Sequence, residues 1–373
     1  MAPSRPNKEA KPSPSTLLSD AETLHTVGKL QDAIPVAQQA LELTGSGGDH
    51  ELRALNLLGI LHIETGDTDD ARSFFTRAVK LDPEGTLEEK IGGGPEKFLF
   101  LAQLSEEGGS DSVQWFEKGA SALRKRIQAL TDLPSRTPEQ TEKLSTTQSH
   151  LGSVLCSVTE VYMTDLSWEE DAEQRCEALI TEAMMIAPNS AETWQTVANV
   201  RISQERYDDA RGALKKSLEL WQDKDPLDPA VPEFPERISL ARLLLEVEME
   251  EEALRVIQRL TSDDDQSVEA WYLGGWCLFI IGEKMRDGKH DARANGEADE
   301  WKSVWTSSRQ WLAMCLKLYE AQEYEDERLG QHAVELFENI NKELGPPKEG
   351  ETDDWDDASG DDDDDDLDEE MKD

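Results

Sequence analysis

Six consecutive aspartates, Asp361, Asp362, Asp363, Asp364, Asp365 and Asp366, form the densest run of ionisable groups in the chain. The chemistry open to them is that of a polyanion, which attracts basic polypeptide by imitating a phosphate backbone. Other reactive types are scattered. His25, His50, His62, His150, His290 and His332 never fall three or four residues from one another or from a cysteine. That leaves neither a metal-ligand set nor a nucleophile with its base. Cys156, Cys176, Cys277 and Cys315 lie far apart in apolar helical patterns and are expected to be buried thiols. Gly92-Gly93-Gly94 is followed by no Lys-Ser or Lys-Thr pair, so it reads as a spacer between elements rather than a phosphate cradle. No catalytic residue, cofactor or metal is expected, and the chain is not expected to be an enzyme.

Charge narrows the partners. The 373 residues hold 38 Lys and Arg against 80 Asp and Glu, a formal net charge of −42. Repulsion from phosphate and from anionic lipid argues against direct nucleic-acid binding and against a membrane surface, and favours basic partners. Pro346–Asp373 contributes sixteen carboxylates against Lys348 and Lys372, a net −14. Such a segment repels itself and is expected to stay extended, so residues 345–373 read as a disordered acidic tail. It serves as a solvating tail, as a mobile shield for a basic client, or as both. Trp355 is its single aromatic anchor, and Ser359, followed by acidic residues, is a candidate for phosphorylation.

Hydrophobic residues make up 37% of the chain, enough for a folded core. The longest apolar stretches, such as Leu273–Ile281, fall well short of the roughly 20 residues of a membrane helix. The N-terminus lacks the apolar region of a secretory signal, so residence in the cytoplasm and nucleus is expected.

The elements that carry these groups are helical and repeated. Ala54–Pro83 shows two apolar stripes of helical period separated by a turn at Thr65-Gly66-Asp67. Small residues (Gly59, Ala71, Ala78) mark a close helix crossing, with Leu55, Leu58 and Phe75 filling around it. The same offsets recur at Trp194, Ala198, Ala210, Leu214 and Ser217, and again at Leu240, Ala241, Ala253, Ile257 and Leu260. Leu17, Ala21, Leu24, Ala33, Ala37 and Ala40 supply an N-terminal copy whose second helix carries Pro35. Irregular copies follow. One runs over Phe98–Leu123 with a turn at Gly108-Gly109. Another has its first helix within Ser149–Asp165 and ends on Cys176, Ile180 and Ala183. A third opens at Glu269, is interrupted over Lys284–Asp299, and resumes at Ser307. A last helix, Asp326–Leu344, covers the open end. The prolines of Asp223–Glu236 predict a stiff extended connection, and Thr131–Glu142 a milder break.

A period near 34 with Asp-Asp-Ala-Arg opening two second helices (Asp69–Arg72 and Asp208–Arg211) resembles the tetratricopeptide repeat. The resemblance covers roughly Ser15–Leu344. It implies an all-α solenoid of about seven hairpins, some irregular, over residues 14–344 with a capping helix, after a disordered segment 1–13. In that family, set positions on each first helix face a peptide-holding groove. Carried over, they comprise Glu22, Glu64, Glu192, Glu246 and Glu269 with Asn56, Asn199, Tyr272 and Trp276. Carboxylates beside amides and aromatic rings suit a Lys- and Arg-rich segment; the alternative is the solvated face of an acidic solenoid. Leu18 and Glu22 stand where relatives that grip acidic chaperone C-termini carry Lys and Asn. Trp115, Trp194, Trp301, Trp305 and Trp311 are expected in the core. Trp276 stands apart because the glycines before it let a helix or a ligand backbone approach.

The repeats together with EAWYLGGWCLFIIGE at Glu269–Glu283 and DWDDASGDDDDDD at Asp354–Asp366 resemble one fungal family, the dedicated assembly chaperones of the fourth large-subunit ribosomal protein. That resemblance implies binding and shielding of a newly made basic ribosomal protein through its long internal loop. It also implies escort into the nucleus, with an import receptor engaged through the client, and delivery to the pre-ribosome. The residues by themselves equally allow a scaffold or chaperone for another basic partner such as a histone.

Overall fold

In the computed structural model the described residues are 12–288 and 300–347. Residues 348–373 of the expected acidic tail, with Trp355 and Asp361–Asp366, lie outside them, as does most of the expected N-terminal segment and of the polar interruption Lys284–Asp299.

The described chain is a succession of helices: α1 (Pro14–Thr26), α2 (Leu30–Thr44), α3 (Glu51–Glu64), α4 (Thr68–Leu81), α5 (Glu96–Gln103), α6 (Gly109–Thr131), α7 (Pro138–Met163), α8 (Ala172–Ile186), α9 (Ala191–Ser203), α10 (Tyr207–Glu219), α11 (Phe234–Glu246), α12 (Glu250–Asp263), α13 (Val268–Arg286), α14 (Glu300–Ala321) and α15 (Glu327–Leu344). Among the described residues there is no strand, and no helix is long and apolar enough to cross a membrane. They fall into two compact units. One holds α1 to α9 with residues 216–220, and the other holds the rest, from Glu205–Lys215 and Trp221 onward.

In the first unit α1/α2, α3/α4, α5/α6 and α7/α8 pack as hairpins, and each hairpin packs on the next helix in the chain. The repeated small residues are where they should be for close crossing. Ala21, Ala33, Ala37, Ala71 and Ala78 are fully buried. A Cβ on Gly59 would sit 2.5 Å from the Phe75 ring, so α3 and α4 can only approach this closely at a glycine. Helix α2 runs through Pro35 unbroken.

Helix α7 is longer than the repeat period suggests. It begins at Pro138, eleven residues before the expected Ser149, because Thr137 forms a capping box with Gln140: the Thr137 hydroxyl accepts from the Gln140 amide (3.2 Å) and the Gln140 side chain accepts from the Thr137 amide (2.9 Å). Polar residues at the start of α7 hid this extension from an apolar-period reading.

In the second unit α11/α12 and α13/α14 are hairpins, and α15 packs on both α13 and α14. A Cβ on Gly274 or Gly275 would collide with Trp311 or Leu312, so those glycines admit helix α14 rather than a ligand. Helix α14 begins at Glu300, ahead of the expected Ser307, and its Trp305 is buried with Nε1 donating to the Phe279 carbonyl at 3.0 Å. Cys277 and Cys315 are buried here, as Cys156 and Cys176 are in the first unit, and burial pushes the Cys156, Cys277 and Cys315 thiols up to about 12. The proline-rich connection before α11 is a string of turns, not an extended strut: Lys224, Asp228 and Val231 amides donate to the carbonyls of Trp221, Asp225 and Asp228. Pro235 sits in the first turn of α11, where its missing N–H costs nothing.

Candidate functional site

In the first unit Glu22, Asn56, Glu64 and Glu192 bind other parts of the same chain. The Glu22 carboxylate on α1 takes a two-pronged contact from Arg53 on α3, with Nε at 2.8 Å. Glu64 on α3 returns to His25 on α1 at 2.7 Å. Asn56 donates to the Gly92 carbonyl at 2.6 Å, and Glu192 on α9 accepts from the Ser153 hydroxyl on α7 at 2.5 Å. Three of these join alternate helices, α1 to α3 twice and α7 to α9, and the Asn56 bond joins α3 to the loop between α4 and α5. Burial lifts Glu192 above the ordinary carboxylate range, with the Ser153 bond opposing. Asn199 lies half-buried on α9. Leu18, at a family groove position, is fully buried in the core.

The glycine run has a definite task. Asp82 and Lys97 form a buried ion pair at 2.8 Å that closes the loop between α4 and α5. Lys97 Nζ also donates to the Gly94 carbonyl, while Asp82 accepts from the amides of Thr86 and Gly94. Burial alone would raise Asp82, but Lys97 and the amides of Gly94 and Leu87 outweigh it and hold the carboxyl below its usual range. The spacer is thus a loop folded about one charge pair, with Gly92 passing so close to Leu52 and Arg53 that a Cβ would meet their backbone.

In the second unit three candidates converge. Glu246 from α11 and Tyr272 and Trp276 from α13 line one cleft of about 680 Å³, together with Arg242, Leu245, Leu273, Asp326, Arg328, Leu329 and His332. Its wall is a set of three rings. Trp276 and His332 meet edge-on at 5.6 Å and Tyr272 and His332 at 5.8 Å, while Tyr272 and Trp276 are tilted by 31° at 5.9 Å. The Tyr272 hydroxyl and His332 Nδ1 are 2.7 Å apart and share a hydrogen bond that ties α13 to α15. Burial pushes the Tyr272 phenol up to about 12, so it stays neutral and keeps its proton. Glu269, one turn before Tyr272, is paired with Arg242. Glu246 is exposed at the rim. Phe279 does not join this cleft and instead stacks on Trp305 at 5.0 Å.

Arg242, Asp326, Arg328 and His332 were absent from the sequence-derived set. A signal for three of them was present: Arg242/Glu246, Tyr272/Trp276 and Arg328/His332 are i, i+4 pairs, each of which shares one helix face. Aromatic walls with carboxylates at the rim can hold the aliphatic stem and cationic head of Lys or Arg, and equally the flat face of an indole.

The sequence profile of the tetratricopeptide repeat matches residues 15–84. A curated protein of Emericella nidulans, named "Probable assembly chaperone of rpl4", is 48% identical over 91% of this chain and 84% of its own length. Its namesake in Schizosaccharomyces pombe is 31% identical over 91% of this chain and 96% of its own length. A solved structure of the assembly chaperone of RpL4, Acl4 (residues 1–338), is 56% identical and superposes with a TM-score of 0.70, covering 74% of this chain and 99% of that one. The chain belongs to the tetratricopeptide-repeat family whose curated members are named assembly chaperones of rpl4.

Proposed function

We propose that this protein is a dedicated chaperone of the ribosomal protein rpl4, which it binds as a newly made basic chain and shields until ribosome assembly. What carries the reading is 48% identity to a relative of that name over 91% of the chain, a span that includes both units. The chemistry agrees. A ribosomal protein segment that will face rRNA is basic and unfolded before the RNA supplies counter-charge, and a −42 chain with rings and carboxylates along one cleft offers a temporary substitute. The basic client leaves when a denser phosphate field competes for it. In this reading the chain acts by binding rather than by catalysis. It works in the cytoplasm and the nucleus, with the import receptor recruited through the client.

Purification of the tagged chain from cells, with identification of its stoichiometric companion by mass spectrometry, tests the assignment. Rpl4 at one-to-one is the expected result; a different basic protein such as a histone at that stoichiometry, with rpl4 absent, overturns it.

A further inference from the structure

We propose that the second-unit cleft is the docking site of the chain's own C-terminal segment, with the Trp355 indole seated against Tyr272, Trp276 and His332. The cleft is walled by rings and lined by two cations and two carboxylates, Glu246 and Asp326; of the cations Arg242 is held by Glu269, while Arg328 at the α15 edge is in no ion pair among the described residues. The segment supplies the complement. Trp355 is its single aromatic residue and is flanked by Asp353, Asp354, Asp356 and Asp357. An indole in the ring-lined slot with an aspartate on Arg328 satisfies both features.

The chain can reach. Helix α15 ends at Leu344 and His332 lies twelve residues earlier, roughly 18 Å back along the helix. Eleven residues separate Leu344 from Trp355, an extended span of up to about 36 Å. A tether of this length gives an effective concentration of about 1 mM, so even a weak contact is populated. The tail then acts as a place-holder that covers the aromatic wall in the free protein and yields to a client. This inference does not depend on which client that is.

Hydrogen exchange read by mass spectrometry, on the full chain and its Trp355→Ala variant, tests it. Trp355 belongs to none of the described helices, and the variant is expected to fold as the parent does. With a sub-millimolar intrinsic affinity, amides over 326–332 and 272–276 should exchange about threefold faster in the variant. A synthetic peptide of residues 348–373 at millimolar concentration should restore the parental rates. Equal rates in the two chains overturn the proposal. So does protection that disappears on dilution of the parent, because a second copy would then be the occupant.

Discussion

Glu192 shows how a single side chain can be misjudged from its type alone. As a carboxylate at a family groove position it suggested a free contact for a basic ligand, yet its carboxylate accepts from Ser153 and burial raises it above the usual range. The sign of its pH dependence follows. Above its folded titration range the ion is buried at full cost; as pH falls through that range the native state takes up the proton first and stability rises, levelling off below the unfolded carboxylate range. Glu192→Gln removes the buried charge and keeps an acceptor for Ser153. Thermal melts should therefore show the variant more stable at pH 7, by about 0.5 kcal/mol, with the advantage gone at the acid end. A variant less stable than the parent at pH 7 would mean the carboxylate is favourable where it stands. Trp276 is the opposite case, a residue singled out by its neighbours whose ring does reach the cleft while the glycines before it serve the helix crossing.

At the scale of elements, the joint between α4 and α5 rests on one ion pair. Both Asp82 and Lys97 side chains are almost fully excluded from solvent. Lys97→Met would leave Asp82 charged, buried and short of its principal partner, at a cost of about 3–5 kcal/mol measured by denaturant unfolding. The deficit should shrink as pH falls through the carboxylate range, since a neutral Asp82 no longer needs the cation. A loss under 1 kcal/mol would show that the loop relaxes and admits water. The helical hairpins themselves were legible because small and large apolar residues recur at fixed offsets, and Leu240, Ala241, Ala253, Ile257 and Leu260 are all fully buried. The start of α7 and this ion pair were not. The first is set by a polar capping box and the ion pair by two charges fifteen residues apart, neither of which leaves an apolar period.

For the molecule as a whole, charge that looked uniform in composition divides by use. Carboxylates of the first unit, Glu22, Glu64 and Glu192, hold neighbouring helices together, whereas Glu246 stands exposed beside an aromatic cleft in the second. The groove positions carried over from the family could not separate carboxylates engaged within the chain from those open to a partner, because the engaging groups lie 31 to 39 residues away. In the proposed function rpl4 is held in part by that second-unit cleft. Titration of rpl4 against the parent chain and against Glu246→Lys and Trp276→Ala, from low to high salt, tests it most directly. Binding about tenfold weaker is expected for each variant, with a salt dependence that is shallower in Glu246→Lys and unchanged in Trp276→Ala. Parental affinity in both variants at every salt concentration would contradict it.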